Sequence, residues 1–245
     1  MVARYGPTYL SSDPVEFPRR YGDPLDSEAA ALICALFAYG NVTSMKAFLE
    51  RLLSELGPSP GEALRSGRAW RTRPYRFQTA RDVGCLLRGL GTILRDHGSV
   101  EAAFGSRGGG PEERIEGLAL RLREACGRVT PGMTHLLPLP SSGSACKRWW
   151  LFLRWVVRPD DGVDLGLWTC LSPSELLIPV DVHVARAAQE IGLTTRKSPD
   201  RIFALEVTES LRLLCPEDPV KYDFALARPG ILKGRSRRIE EPKKR

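Results

Sequence analysis

Along most of the chain, apolar residues return every three to four positions, the spacing of a helix with one buried face. In "TSMKAFLERLLSELGP" the apolar Phe48, Leu49, Leu52, Leu53 and Leu56 follow this rule, between a start at Thr43 or Ser44 and a stop at Gly57-Pro58. "DSEAAALICALFAYG" predicts a helix capped by Asp26 and halted at Gly40. "TARDVGCLLRGLGTILRDHG" predicts a longer one closed by Gly98, with the short "VEAAF" after it. "PEERIEGLALRLREACG" opens with Pro111 and acids and turns basic toward its end, as the helix dipole favours.

In "VTPGMTHLLPLPSSGSACKRWWLFLRWVVRPDDG" the first half reads as turns, and the apolar stretch from about Ser144 to Val157 as a buried helix. "DVHVARAAQEIG" is capped by Asp181 and stopped by Gly192. "SPDRIFALEVTESLRLLC" and "DPVKYDFALARPG" predict two more helices, each opened by a Ser-Pro or Asp-Pro pair. No segment reads as paired strands. Nine or ten helices with short connections predict an all-α fold. The Gly-rich "GSRGGGP" reads as a loop inside a single two-lobed helical domain, residues 1–231. Residues 232–245 read as a basic, disordered tail.

The 245 residues suffice for a sizeable core, and 42% hydrophobic with 27% charged residues excludes a disordered chain. No apolar run is long enough to cross a membrane, and "MVARYGPTYL" lacks the apolar core of a secretion signal. A cytoplasmic protein is expected. The six cysteines form no CxxC pair and fall among apolar neighbours, which predicts free thiols filling the core. Three dispersed histidines suggest no metal site, and no cofactor is implied. The net charge of +7 is concentrated: "KGRSRRIEEPKKR" holds seven Lys/Arg against two Glu, five of those seven net charges. Such a tail attracts any polyanion.

Candidate chemistry begins in "LRSGRAWRTRPYRFQTARD". Arg65, Arg68, Arg71, Arg73, Arg76 and Arg81 face a single acid, Asp82, and Trp70, Tyr75 and Phe77 are interleaved. Guanidinium groups pair with phosphates, and flat rings stack on bases or wedge into a duplex. A solvated basic loop anchored by its aromatics is the alternative. "LPLPSSGSACKRWW" reads as a tight turn feeding a helix, where backbone N–H groups can face a phosphate. Lys147 lies one turn into that helix, and Trp149, Trp150 and Leu151, with Arg148 adjacent, would favour its neutral, nucleophilic form. A lysine snorkelling at a helix start explains the same residues. Asp181, after Pro179, is either helix punctuation or a fixed anion at a pocket edge.

These segments resemble the helix-hairpin-helix DNA glycosylase superfamily. "IPVDVHVAR" is similar to the segment around its catalytic aspartate, and "PVDVH" matches the eukaryotic 8-oxoguanine glycosylases. The longer spacing from Lys147 to Asp181 and "KRWWLFLRW" look more like the archaeal 8-oxoguanine glycosylases. The resemblance implies a two-lobed helical bundle whose hairpin binds phosphates, with Lys147 and Asp181 catalytic. "AYGNV" sits where the superfamily has a turn beside its base pocket, which makes Tyr39 and Asn41 pocket candidates; "YDFALARPG" looks like the late helix whose pocket aspartate would be Asp223. Tyr39 or Trp149 would stack on the base. Arg68, Arg71, Arg73, Arg76, Gly143, Ser144 and Arg148 would hold DNA. Three departures stand out. "LPSSGSACK" has Ser141 where the hairpin has its first glycine, Pro229 interrupts the pocket helix, and no C-terminal four-cysteine cluster exists. Residues of about 25–231 also resemble a bacterial family of uncharacterised proteins with "GSACKR", "IPVDVHV" and "DPVKYDFAL" in this order.

The expected function is base excision of an oxidised purine of the 8-oxoguanine kind from damaged duplex DNA, by a monomeric, nucleoid-associated glycosylase with lyase activity. A non-catalytic nucleic-acid-binding module on the same scaffold, and an enzyme acting on RNA or nucleosides, are the other readings.

Overall fold

The computed structural model describes residues 13–230, together with Thr8 and Leu10. Ten α-helices, a further helical stretch over 223–230 and several 3₁₀ turns make up the regular structure of the described residues, where the only β pairing is an isolated bridge between Tyr75 and Gln78. The basic tail predicted over 232–245 lies outside the described residues.

Helix α1 (Pro24–Leu36) is buried on every side from Asp26 to Leu36, because "AAALICAL" offers no polar face. Its cap is Asp23, whose carboxylate accepts the N–H groups of Leu25 and Asp26. Asp26, the cap expected from the sequence, is instead buried and accepts the N–H of Gly61 at 2.7 Å. Helix α2 (Val42–Leu56) buries Met45, Leu49, Leu52, Leu53 and Leu56, and it starts one or two residues earlier than predicted, capped by Asn41. Helices α3 (Pro60–Arg65) and α4 (Ala80–His97) approach closely: a Cβ on Gly91 would lie 2.3 Å from the Leu64 carbonyl oxygen. Thr79 and Asp82 form the capping box of α4. Helices α5 (Val100–Gly105) and α6 (Pro111–Glu124) pack on α4 and on each other.

Residues read as turns form a short helix, α7 (Pro131–Leu136), held by the Thr130 hydroxyl on the Met133 N–H. A 3₁₀ turn at Pro140–Ser142 leads into α8 (Lys147–Val157), buried from Arg148 onward and packed against α1. Helices α9 (Val182–Glu190) and α10 (Arg201–Arg212) follow, then a 3₁₀ turn at Pro219–Tyr222 that runs into helical residues 223–230. Pro229 does not break that last stretch, contrary to expectation.

One continuous cluster of buried residues extends from Val15 to Leu226, so the Gly-rich segment is a loop across a shared core. Each fully buried Leu, Ile or Phe in it contributes about 1.5–3 kcal/mol. Five of the six cysteines are buried, and all six are unpaired thiols. No helix among the described residues is long and apolar enough to cross a membrane.

Candidate active site

Lys147 is the first residue of α8 rather than one turn into it. Two left-handed residues set its position: Gly143 (φ 76°), which closes the 3₁₀ turn, and Cys146 (φ 46°), which precedes the helix. Positive φ is ordinary for glycine and uncommon for cysteine, so the backbone entering α8 is held by its surroundings.

From the other side comes Asp181, at the start of α9. Its Oδ1 accepts the N–H groups of His183 and Val184, both at 2.8 Å. Its Oδ2 lies 3.7 Å from Lys147 Nζ. That distance is an ion pair rather than a direct hydrogen bond. The two readings of Asp181 are therefore compatible, because the cap uses one oxygen and the lysine faces the other. Lys147 keeps 32% of its side chain exposed and Asp181 22%, so the pair is open to a ligand.

The pair lines a cavity of about 490 Å³. Tyr39, Asp223, Leu151, Arg154, Asp13 and Arg228 line it too. Its floor is ionic. Arg154, inside the apolar helix α8, pairs with Asp164 (3.0 Å) and with Asp223. Arg228 pairs with Asp13 at 2.7 Å. Burial pushes the Asp223 carboxyl up to about 6; Arg154 pulls against this and the neighbouring Asp181 charge adds to it. Burial likewise pushes the Tyr39 phenol up to about 12, so it stays protonated. Its hydroxyl meets Gln78 Oε1.

Four residues predicted for the site thus meet here: Lys147, Asp181, Tyr39 and Asp223. Others do not. Asn41 is exposed, its Oδ1 caps α2 through the N–H groups of Thr43 and Ser44, and it does not line the cavity. Trp149 is 1% exposed and its indole N–H donates to Pro138 O at 3.1 Å, so it offers no stacking face. Trp149 and Trp150 both lie in the core, and the aromatic cover expected over Lys147 is absent. Arg148 is buried, donates to the carbonyls of Leu36 and His135, and sits 5.0 Å from the Tyr39 ring centroid; it organises the wall and is not free for DNA. Gly143 gives its N–H to Pro140 O, and the Ser144 hydroxyl accepts the Cys146 N–H, so both are engaged in shaping the turn.

The arginine stretch is exposed. Arg51, Arg71, Arg73 and Arg76 line a groove of about 870 Å³ between α2 and the 71–76 segment. Arg68 stacks 4.1 Å over Trp70 and donates to Glu55 O. Tyr75 and Gln78 exchange backbone hydrogen bonds of 2.9 Å, making a tight turn with Arg76 at φ 51°. The turn is pinned below by Gln78 on Gly132 O and by Tyr75 on Tyr39 O, and it lifts Phe77 into solvent at 58% exposure. The Phe77 ring stacks on Tyr39, a lining residue of the Lys147 cavity, at 6.4 Å and 11°.

Residues 13–232 match the family described as a protein of unknown function, DUF2400. The chain belongs to the DUF2400 family. The match includes "GSACKR", "IPVDVHV" and "DPVKYDFAL". No curated protein and no solved structure matches this DUF2400 chain. Arg154, Asp13 and Arg228 are parts of the site that the sequence motifs do not single out. Helical spacing held one signal: Lys147, Leu151 and Arg154 are i, i+4 and i+7, a single face of α8, and all three line the cavity.

Proposed function

We propose that this protein is a DNA glycosylase of the helix-hairpin-helix type, with lyase activity, that removes an oxidised purine of the 8-oxoguanine kind. The observation that carries the reading is the Lys147–Asp181 pair at the edge of a cavity large enough for a base. Reaching the anomeric carbon requires the nucleotide to leave the stack. Lys147 would give up a proton, for which Asp181 Oδ2 at 3.7 Å is a nearby acceptor, and its free amine would attack C1′ as the C1′–N bond breaks; the base departs with its electron pair and takes up a proton. Ring opening converts the adduct to a Schiff base, from which the strand can be cleaved. Asp181 Oδ2, 3.7 Å from Lys147 Nζ, would stabilise the positive charge that develops, and the two amides on Oδ1 hold that carboxylate in place.

Tyr39 offers the base a partly exposed ring, and Asp223 a carboxyl that can donate or accept according to pH. Phe77 is placed to enter the gap left in the duplex. Arg71, Arg73 and Arg76, with Arg68, supply phosphate contacts. Borohydride trapping on a panel of lesion-bearing duplexes tests the reading. Wild type should yield a covalent protein–DNA adduct and Lys147→Gln none; equal yields would remove the lysine from the chemistry.

A further inference from the structure

The hairpin before Lys147 already holds an anion. Ser141 gives its backbone N–H to Glu116 Oε2 at 3.0 Å and its hydroxyl to Oε1 at 2.7 Å. Both oxygens of one α6 carboxylate are thus bound by the turn that a phosphate would approach. One helical turn earlier, Glu112 makes a bidentate pair with Arg201, at 2.7 and 2.6 Å. The Arg201 N–H in turn donates to Gly143 O at 3.2 Å. Two further N–H groups of the turn, those of Ser142 and Gly143, go to Leu139 O and Pro140 O, and the Ser142 hydroxyl goes to Leu139 O. A phosphate approaching Ser141 would meet the Glu116 carboxylate already on its donors.

The groove lined by Arg51, Arg71, Arg73 and Arg76 is the reverse case. None of these four is paired with a carboxylate among the described residues; Glu50 and Glu55 line the same groove, and Glu50 is taken up by Arg20 at 2.9 Å. The groove also reaches the site. The Arg76 side chain lies on Gly40, which lines the Lys147 cavity, close enough that a Cβ there would come within 2.9 Å of it.

We infer that the arginine groove is where this protein grips nucleic-acid phosphates, and that Glu116 is a built-in competitor that keeps the hairpin closed to them. This rests on the nucleic-acid reading above. It predicts a one-sided grip, with the strand held on the groove side of the extruded nucleotide.

The test is duplex affinity by fluorescence anisotropy over a salt series, on full-length variants whose thermal melts match wild type. The double variant Arg71→Gln/Arg73→Gln should weaken binding and flatten the log–log slope by about 0.9 for each phosphate no longer neutralised. Ser141→Ala should leave the slope unchanged. Glu116→Gln should tighten binding several-fold and steepen the slope beyond the effect of Glu113→Gln, an exposed acid of the same helix that is not bonded to the hairpin. A flatter slope in Ser141→Ala would overturn the inference, as would a Glu116→Gln protein that binds like Glu113→Gln or more weakly. Wild type that binds no duplex would remove both the inference and the functional reading. Tight binding without a trapped adduct would remove only the second.

Discussion

Asp181 shows how one side chain can satisfy a local rule and still be available for chemistry. As a cap it needs Oδ1 alone, and Asn caps about as well as Asp. Asp181→Asn should therefore change stability by less than about 1 kcal/mol. The charge facing Lys147 is removed in the same variant. Single-turnover excision should then fall by about two orders of magnitude or more, the scale of one electrostatic interaction with a transition state. A normal melt with a wild-type rate would reduce the residue to punctuation. Asp223 makes a different claim. Its carboxyl is raised from 3.8 to about 6, chiefly by burial. Between those values the folded protein holds a proton that the unfolded chain has released, so this group's contribution to stability declines as pH rises through the window. Urea midpoints measured across pH should show that decline in wild type, and Asp223→Asn should lack it. Parallel pH profiles in the two proteins would place the shifted proton elsewhere.

Helix α8 joins the core to the site, and Arg154 is the residue of it that carries a buried ionic cluster. At 2% side-chain exposure it pairs with Asp164 and Asp223, themselves 1% and 7% exposed, and shares Asp164 with Arg158. Removing one partner of a buried pair costs about 3–5 kcal/mol. Arg154→Met should lose stability on that scale in urea unfolding, and a loss under about 1 kcal/mol would show that Asp223 does without its cation, Asp164 keeping Arg158. The sequence makes α8 legible as a buried helix, yet it does not announce which positions face a cavity. Trp149 and Arg148 are close to Lys147 in the chain, but adjacent residues on a helix point about 100° apart. Caps show a related limit. Asp23 and Asp26 both precede the same apolar run, and only the tertiary approach of Gly61 draws Asp26 inward. Helix α7 is hidden in the sequence because "PGMTHL" is too short to establish a period, and its Pro and Gly read as turn residues. Long amphipathic helices such as α2 and α4 are readable because their apolar stripe repeats over several turns. The meeting of Lys147 and Asp181 is foreshadowed only by motif resemblance, since no local pattern carries a contact between separate helices.

On the scale of the whole molecule, charge has two distinct locations, and they should act differently. The exposed arginines near the cavity sit on elements pinned to the core by Gln78 and Tyr75, so any phosphate they hold is held in register with Lys147. The seven Lys/Arg of "KGRSRRIEEPKKR" come after the last described helical residue, and their sequence supplies charge without a stacking ring. Charge of that kind attracts intact and damaged duplex alike. A protein ending at Leu232 should therefore bind both duplexes more weakly, with a salt slope shallower by about 0.9 for each phosphate the tail would have neutralised. On the proposed glycosylase reading, the ratio of its affinities for lesion and intact duplex should stay at the wild-type value, because discrimination then comes from groups that touch the extruded base. Anisotropy titrations of both duplexes at several salt concentrations measure slope and ratio together. If truncation brings the ratio to one, the segment after Leu232 takes part in recognition, and the cavity beside Lys147 cannot be its sole determinant.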